Sequence, residues 1–179
     1  MNKVIILDRD GVINQDSFDY VKSPAEFIAL PGSINAIARL HQAGYRLGIA
    51  TNQSGVSRGF YSEGDLLAIH DKMMQAVIAA GGAIDAIEYC LHLPAEDCLC
   101  RKPQAGMLWR LAERLDCDLT GVPFVGDRVS DIQAALSVDA QPVMVLSQMT
   151  DRLSLQAYPQ VPVYHSLAEW VDQWLMAHA

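Results

Sequence analysis

The sequence predicts a doubly wound α/β sheet, with parallel strands and helices on both faces. Three observations predict it. Short apolar runs alternate with longer helix-like stretches along the chain. The first run, Val4–Leu7, is apolar without a break, as a central parallel strand buried on both faces requires. Each polar cluster able to do chemistry follows a predicted strand, which gathers these clusters on the carboxyl rim where such sheets bind ligands.

The elements follow in order. Val4–Leu7 is the first strand. Ser33–Ala43 reads as a helix, entered through Pro31-Gly32 and stopped by Gly44. Tyr45–Ala50 is the next strand. Ser62–Ala80 is a longer helix, started by the capping-box pair Ser62 and Asp65 and ended by Gly81-Gly82. Ala83–Tyr89 is a strand leading into a cysteine-bearing loop. Gly106–Leu115 is helical, and Val122–Val125 is a strand ending at Gly126-Asp127. Asp131–Ser137 is a short helix, Val143–Leu146 a core strand, and Val161–Tyr164 with the helix Leu167–Ala177 closes the sequence. Trp170 and Trp174, four apart on that helix, are placed to pack inward.

A chain of 179 residues suits one domain, 1–179, able to bury a sizeable core. A net charge of −8 argues against nucleic acid or an anionic membrane as partner. An anionic substrate would need a local positive field, and Arg58, Arg101, Lys102 and Arg128 are candidates for it. The opening residues lack a signal-peptide pattern and no segment is apolar enough to cross a bilayer, so the cytoplasm is the expected compartment. No self-complementary apolar stripe is evident, and a monomer is expected.

Four clusters carry the chemistry. Asp8 and Asp10 flank Arg9 after the first strand, where residues two apart face the same way. Such carboxylates can share a divalent cation or divide nucleophile and acid–base roles, although Asp-Gly is also ordinary turn chemistry. Thr51-Asn52-Gln53-Ser54-Gly55 offers groups suited to a phosphoryl group, but alone it reads equally as a solvated loop. Asp127 is placed to give an oxygen to a hard cation beside Asp8, and Asp131 reads as structural support at a helix N-terminus. Cys90, His92, Cys98 and Cys100 are the strongest signal. Three of the four cysteines and a histidine fall in one segment, and in a reducing compartment this reads as a closed tetrahedral zinc site. A closed shell has no open position for catalysis, so the metal would order the loop 90–100 and the adjoining Arg101 and Lys102. Cys117, read as lying on a helix, and the remaining histidines, His41, His70, His165 and His178, read as ordinary core or surface residues.

Taken together, Asp8-Arg9-Asp10-Gly11-Val12, Thr51-Asn52-Gln53-Ser54-Gly55, Arg101-Lys102-Pro103 and Gly126-Asp127-Arg128 with Asp131 resemble the four ordered motifs of the haloacid dehalogenase superfamily of phosphatases. The resemblance runs from Met1 to about Leu146. It implies a Rossmann-like fold, and no stretch between the first two strands or after the second is long enough for a large inserted cap. The cysteine loop resembles that of one branch, which holds heptose bisphosphate and histidinol-phosphate phosphatases. Asn14-Gln15-Asp16 and the run from Thr51 to Gly59 are similar to the heptose enzymes. Leu91 departs from the usual Pro of that loop, and Arg128 stands where many heptose enzymes have Lys.

The resemblance implies Mg²⁺ and Zn²⁺ as cofactors and a sugar bisphosphate as substrate. It implies Asp8 as nucleophile, Asp10 as acid–base group, Thr51 and Lys102 on the transferring phosphoryl group, and Asp8, Asp127 and the backbone carbonyl of Asp10 on Mg²⁺. Asp16, Asn52, Gln53, Ser54, Arg58, Arg101 and Arg128 are the expected substrate-binding residues, with Arg101 on a second phosphate. The product would feed a nucleotide-activated heptose for a bacterial saccharide such as lipopolysaccharide. A histidinol-phosphate phosphatase and a non-catalytic zinc-bearing protein are the competing readings.

Overall fold

The computed structural model describes residues 2–179. Six strands form one wholly parallel sheet: β1 (Val4–Leu7), β2 (Arg46–Asn52), β3 (Ala86–Cys90), β4 (Pro123–Gly126), β5 (Gln141–Val145) and β6 (Val163–Tyr164), in the order β3-β2-β1-β4-β5-β6. The helices are α1 (Ser33–Gln42), α2 (Glu63–Ala79), α3 (Gly106–Arg114), α4 (Val129–Leu136), α5 (Arg152–Leu155) and α6 (Leu167–Ala177).

The period-two alternation of strand side chains divides the core between two faces. Ile5 and Leu7 of β1 point to one face with Leu47, Ile49 and Val125, and are covered by α1, α2 and α6 through Ile37, Met73 and Trp170. Val4 and Ile6 point to the other, with Ala50 and Phe124, beneath Leu108 and Leu111 of α3 and Ala134 and Ala135 of α4. All four β1 residues are buried, which explains its unbroken apolar run. Trp170 and Trp174 lie with ring centroids 5.3 Å apart, and Tyr45 meets Trp174 edge-on.

The chain steps outward from β1 through β2 to β3, then returns to the opposite side of β1 as β4. The strand order therefore reverses between β1 and β4, and the crevice at that reversal lies beyond their carboxyl ends. Asp8 and Asp127 follow those two strands, and the backbone N–H of Asp8 donates to Val125 O at 2.9 Å.

The expected capping box at Ser62 and Asp65 is present, and α6 has its expected bounds. Several element ends shift: β3 runs from Ala86 to Cys90 instead of Ala83 to Tyr89, α4 begins at Val129 instead of Asp131, β5 begins at Gln141 instead of Val143, and β6 begins at Val163 instead of Val161. Three other details differ from the sequence reading. Thr51 and Asn52 end β2 instead of opening a loop. Cys117 lies beyond α3, half-buried, in a turn closed by its N–H to Ala112 O. A 3-10 turn at Pro24–Glu26 and the four-residue α5 are too short to leave a periodic signal. No helix is long and apolar enough to cross a membrane among the described residues.

Candidate active site

A cleft of about 530 Å³ opens at the reversal point. Its walls include Asp8, Asp10 and Lys102 toward the sheet and Arg58, Arg101 and Arg128 toward its mouth. Asp16, Asn52, Gln53 and Ser54 also line it. The structure thus brings the expected cationic residues to one place on an otherwise acidic protein. Thr51 does not line the cleft; it is fully buried, and its Oγ1 accepts from Gln53 Nε2 at 2.9 Å.

Lys102 is buried in the cleft wall. Its Nζ lies 3.0 Å from Asp8 Oδ1 and 2.7 Å from Asp131 Oδ1, and it donates to Ala50 O at 2.8 Å. Burial works against its charge, but Asp131 and Asp8 outweigh burial and hold the pKa above the ordinary lysine value. Asp8 moves up as well, because burial and the nearby Asp131 charge outweigh Lys102. Its Oδ1 also accepts the Arg9 backbone N–H at 2.8 Å.

Asp127 is wholly buried and its pKa is pushed up to about 7, by burial first and Asp131 second. Ser147 Oγ donates to its Oδ2 at 2.6 Å, and Thr150 Oγ1 to its backbone carbonyl at 2.6 Å. Its Oδ1 is buried without a partner among the described residues. An orphaned buried carboxylate oxygen is costly, and a hard cation satisfies it. Oxygens of Asp8, Asp127 and Asp131 all lie within 4.8 Å of one another, so the site fits a divalent cation. The side-chain carboxylate of Asp10 is outside this group, leaving only its backbone carbonyl for the expected metal role. Asp131, read from sequence as structural, stands inside it while accepting the N–H groups of Asp127 and Arg128 at 3.1 Å.

Two glycines make the packing possible. Gly11 has φ +81, and a Cβ there would fall 2.1 Å from Asp127 Oδ2. A Cβ on Gly126 would meet the Asp131 side chain at 2.3 Å. Larger residues would drive the carboxylates apart.

Asp10 is held by donors. Oδ1 accepts from Arg9 Nη2 at 2.7 Å, Arg9 Nε at 3.2 Å and Asn14 Nδ2 at 2.9 Å, and Oδ2 accepts from Gln53 Nε2 at 2.8 Å. Burial alone would raise its pKa, but Arg9 and the hydrogen bonds of Asn14 and Gln53 bring it below the ordinary carboxylate value. Tyr61 Oη donates to Gln53 Oε1 at 2.5 Å and completes the support. Of these supports the sequence marks Asn14 only through its likeness to the heptose enzymes and Arg9 only as the residue between Asp8 and Asp10; His70 reads there as an ordinary histidine, and Tyr61 carries no signal.

The cysteine loop starts where β3 ends, at Cys90. His92 Nδ1 lies 3.0 Å from Cys100 Sγ and 3.4 Å from Cys90 Sγ, and the two sulfurs are 2.6 Å apart. Cys98 joins them, and all four donor atoms lie within 4.8 Å of one another. A tetrahedral metal bonded at about 2.3 Å to sulfur spreads its donors to ~3.8 Å, so the cluster closes on one ion once the Cys90 and Cys100 sulfurs, 2.6 Å apart, separate by about 1.2 Å.

Lys102 follows Cys100 by two residues. The side-chain amide of Asn52 clamps its backbone: Oδ1 accepts from Lys102 N at 3.0 Å and Nδ2 donates to Lys102 O at 3.2 Å. Arg101 Nη1 reaches back to His92 O at 3.3 Å. Asn52, expected at the substrate, therefore has both amide atoms engaged with the loop. Asp16 is likewise engaged, with Oδ2 3.1 Å from Arg128 Nη2 and its carbonyl accepting from Gln148 Nε2 at 3.0 Å.

A family model described as HAD-hydrolase-like matches residues 99–170. The D-glycero-beta-D-manno-heptose-1,7-bisphosphate 7-phosphatase of Bordetella bronchiseptica is 55% identical over 143 residues, covering 80% of each chain. The enzyme of the same name from Pseudomonas aeruginosa is 51% identical over 142 residues, 79% of this chain and 80% of that one. A crystal structure of D,D-heptose 1,7-bisphosphate phosphatase from B. bronchiseptica, complexed with magnesium and phosphate, superposes with a TM-score of 0.90 at 48% identity, covering 98% of this chain and 99% of that one.

Proposed function

We propose that this chain, which belongs to the HAD-like phosphatases, removes the C7 phosphate of D-glycero-β-D-manno-heptose 1,7-bisphosphate. The observation that carries the reading is the Asp8–Lys102 ion pair beside the unpartnered Asp127 oxygen, at the base of an arginine-lined cleft. A nucleophile, its phosphate-binding cation and a metal position then share one reacting phosphorus. The three arginines suit a second, unreacting phosphate, since a planar fork pairs with phosphate oxygens in a bidentate way.

Magnesium, held by Asp8, Asp127 and the backbone carbonyl of Asp10, would supply positive charge against the repulsion between Asp8 and the incoming phosphate. Asp8 attacks phosphorus in line, an Asp8 oxygen–phosphorus bond forms, and the bond to the C7 oxygen breaks. Asp10, held ionised in the free site, takes up a proton as the anionic substrate binds beside it and gives that proton to the C7 oxygen as it leaves. Water then attacks the aspartyl-phosphate, passing a proton to Asp10, and phosphate leaves Asp8 free. Lys102 stabilises the transferring oxygens, and Thr51, buried and bonded to Gln53, would reach them only by releasing that contact. Arg101, Arg58 and Arg128 bind the C1 phosphate and sugar end, with Asp16, Gln53, Asn52 and Ser54 shaping the wall.

The Cys90, His92, Cys98 and Cys100 cluster takes zinc in this reading. Three thiolates and an imidazole are a common structural zinc set, and the loop they close holds both Arg101 and Lys102. One domain, 1–179, carries the activity, as a cytoplasmic monomer, and the 1-phosphate product feeds an activated heptose for lipopolysaccharide or another glycan. Phosphate release with Mg²⁺ from the β-heptose 1,7-bisphosphate, compared with histidinol phosphate, tests the reading. A clear preference in kcat/KM for the heptose is expected; a preference for histidinol phosphate overturns it.

A further inference from the structure

Arg9 is the largest side chain with no solvent exposure, and the mechanism above gives it no task. A buried guanidinium is costly unless every donor is used and its charge is met. Asp10 meets the charge through Nη2 at 2.7 Å and Nε at 3.2 Å, and Nη1 lies 3.1 Å from His70 Nε2 on α2. Guanidinium has no acceptor, so Nη1 donates and His70 Nε2 accepts, which places the imidazole proton on Nδ1. Burial, and then the Arg9 charge, lower the His70 pKa to about 3, so the ring remains a neutral acceptor at working pH.

The two oxygens of Asp10 are thereby made unequal. Oδ1 receives three N–H groups, two from Arg9 and one from Asn14, and is saturated. Oδ2 receives one, from Gln53, and keeps a free lone pair. A carboxyl that must hand over a proton has to present one fixed oxygen, within tenths of an ångström, to the leaving group. We propose that Arg9, anchored by His70, is a positioning residue that locks Asp10 Oδ1 so that Oδ2 alone exchanges the proton with the leaving C7 oxygen and then with the attacking water. This rests on the reading of Asp10 as the acid–base group. In the first half-reaction the proton leaves Oδ2 for the C7 oxygen as that oxygen parts from phosphorus. In the second, water gives its proton to Oδ2 while its oxygen bonds to phosphorus and the Asp8–phosphorus bond breaks.

A leaving group that needs protonation should feel this lock, and one that does not should ignore it. The heptose bisphosphate expels a basic alkoxide; p-nitrophenyl phosphate expels a stabilised phenolate. In His70→Leu, kcat/KM, which reports steps up to leaving-group release and not the shared hydrolysis of the aspartyl-phosphate, is expected to fall about 10–100-fold for the heptose bisphosphate and less than about 3-fold for p-nitrophenyl phosphate. His70→Gln, whose side-chain oxygen can accept from Nη1, should restore the heptose rate to within about 3-fold. Arg9→Lys keeps the buried charge but loses the fork, and should show the same selective fall; it carries the test if His70→Leu does not fold. Equal losses of kcat/KM on both substrates, or none, overturn the role of Arg9. Asp10→Asn separates the two levels. A selective loss there with equal losses in the Arg9 and His70 variants overturns this inference alone. Equal losses in Asp10→Asn overturn the acid–base reading and this inference with it.

Discussion

Lys102 Nζ lies 3.0 Å from Asp8 Oδ1, and the two reach that distance from opposite sides of β2. Asp8 is fixed by the register of β1. Lys102 is fixed by Asn52 at the end of β2 and, two residues earlier, by the thiol cluster at Cys100. Each side of the pair therefore has its own support, and each support can be removed separately.

If the cluster holds zinc as proposed, removing that zinc removes one support. Chelation of zinc, with Mg²⁺ resupplied in excess, should lower phosphate release at least about 10-fold and leave the β1–β2 core folded. Turnover, bound zinc and far-ultraviolet circular dichroism followed together check this. Full turnover after complete zinc loss rejects the ordering role of the metal.

Asp8→Asn should reduce phosphate release by about 10³-fold or more while the protein remains folded, because an amide cannot form the acyl phosphate. The rise in Tm on adding Mg²⁺ should also shrink, since one of the clustered carboxylates loses its charge. Retained turnover removes Asp8 from the nucleophile role.

Arg101→Ala should act on the unreacting end of the substrate. Loss of a charge-assisted contact of about 1.5–3 kcal/mol predicts a rise in KM of roughly 10–100-fold for the bisphosphate. A heptose 7-phosphate lacking the second phosphate should be affected far less. Equal effects on the two compounds would place Arg101 elsewhere.

Gly11→Ala combines a left-handed φ of +81 with a Cβ 2.1 Å from Asp127 Oδ2. A cost of about 1–3 kcal/mol in stability is expected, with at least about 10-fold weaker Mg²⁺ activation as Asp127 is displaced. Urea unfolding and Mg²⁺ titration of activity measure both. Wild-type values for both would show that the turn has more room than its geometry indicates.

His70 gives stability a pH dependence of known sign. Its folded pKa is about 3 against an ordinary 6.5, lowered by burial and then by Arg9, with Asp10 opposing and the Tyr89 ring 6.0 Å away. The unfolded state binds the proton first, so this contribution is complete above about pH 6.5 and is lost as pH falls toward 3. At pH 5 the loss is about 2 kcal/mol. Asp127, raised to about 7, works in the opposite direction, but it is common to wild type and variant. His70→Gln should therefore lose less urea stability than wild type between pH 7 and pH 5. Parallel curves would mean that His70 is not held neutral.

The strands and four of the chemical clusters were legible because each lies directly after an apolar run, and in a parallel sheet that position fixes the rim. The donor set of the thiol cluster was legible because cysteine is scarce and three fell in one segment. What stayed hidden depends on contacts between distant elements. His70 looks like any helical histidine until α2 lays it on Arg9 across 61 residues. Tyr61 supports Gln53 from a loop with no local pattern. Asn52 and Thr51 carried the right chemistry, but sequence could not tell that one amide would grip the Lys102 backbone and that the hydroxyl would lie below the floor. Asp131 was read as the first residue of its helix; it is the third, after Val129, and its carboxylate caps the Arg128 N–H, while its second task appears only when Lys102 arrives from the far loop.

Arg101 returns its guanidinium to the carbonyl of His92, inside the same loop that carries it. The segment is thus a self-bracing unit grafted on an outer strand, while hydrolysis is anchored at the sheet's centre. If Arg101 binds the far-end anion as proposed, insertions or exchanges within that unit would shift which anion is recognised and leave the phosphorus chemistry in register, so substrate range and reaction type could diverge at different rates across related proteins.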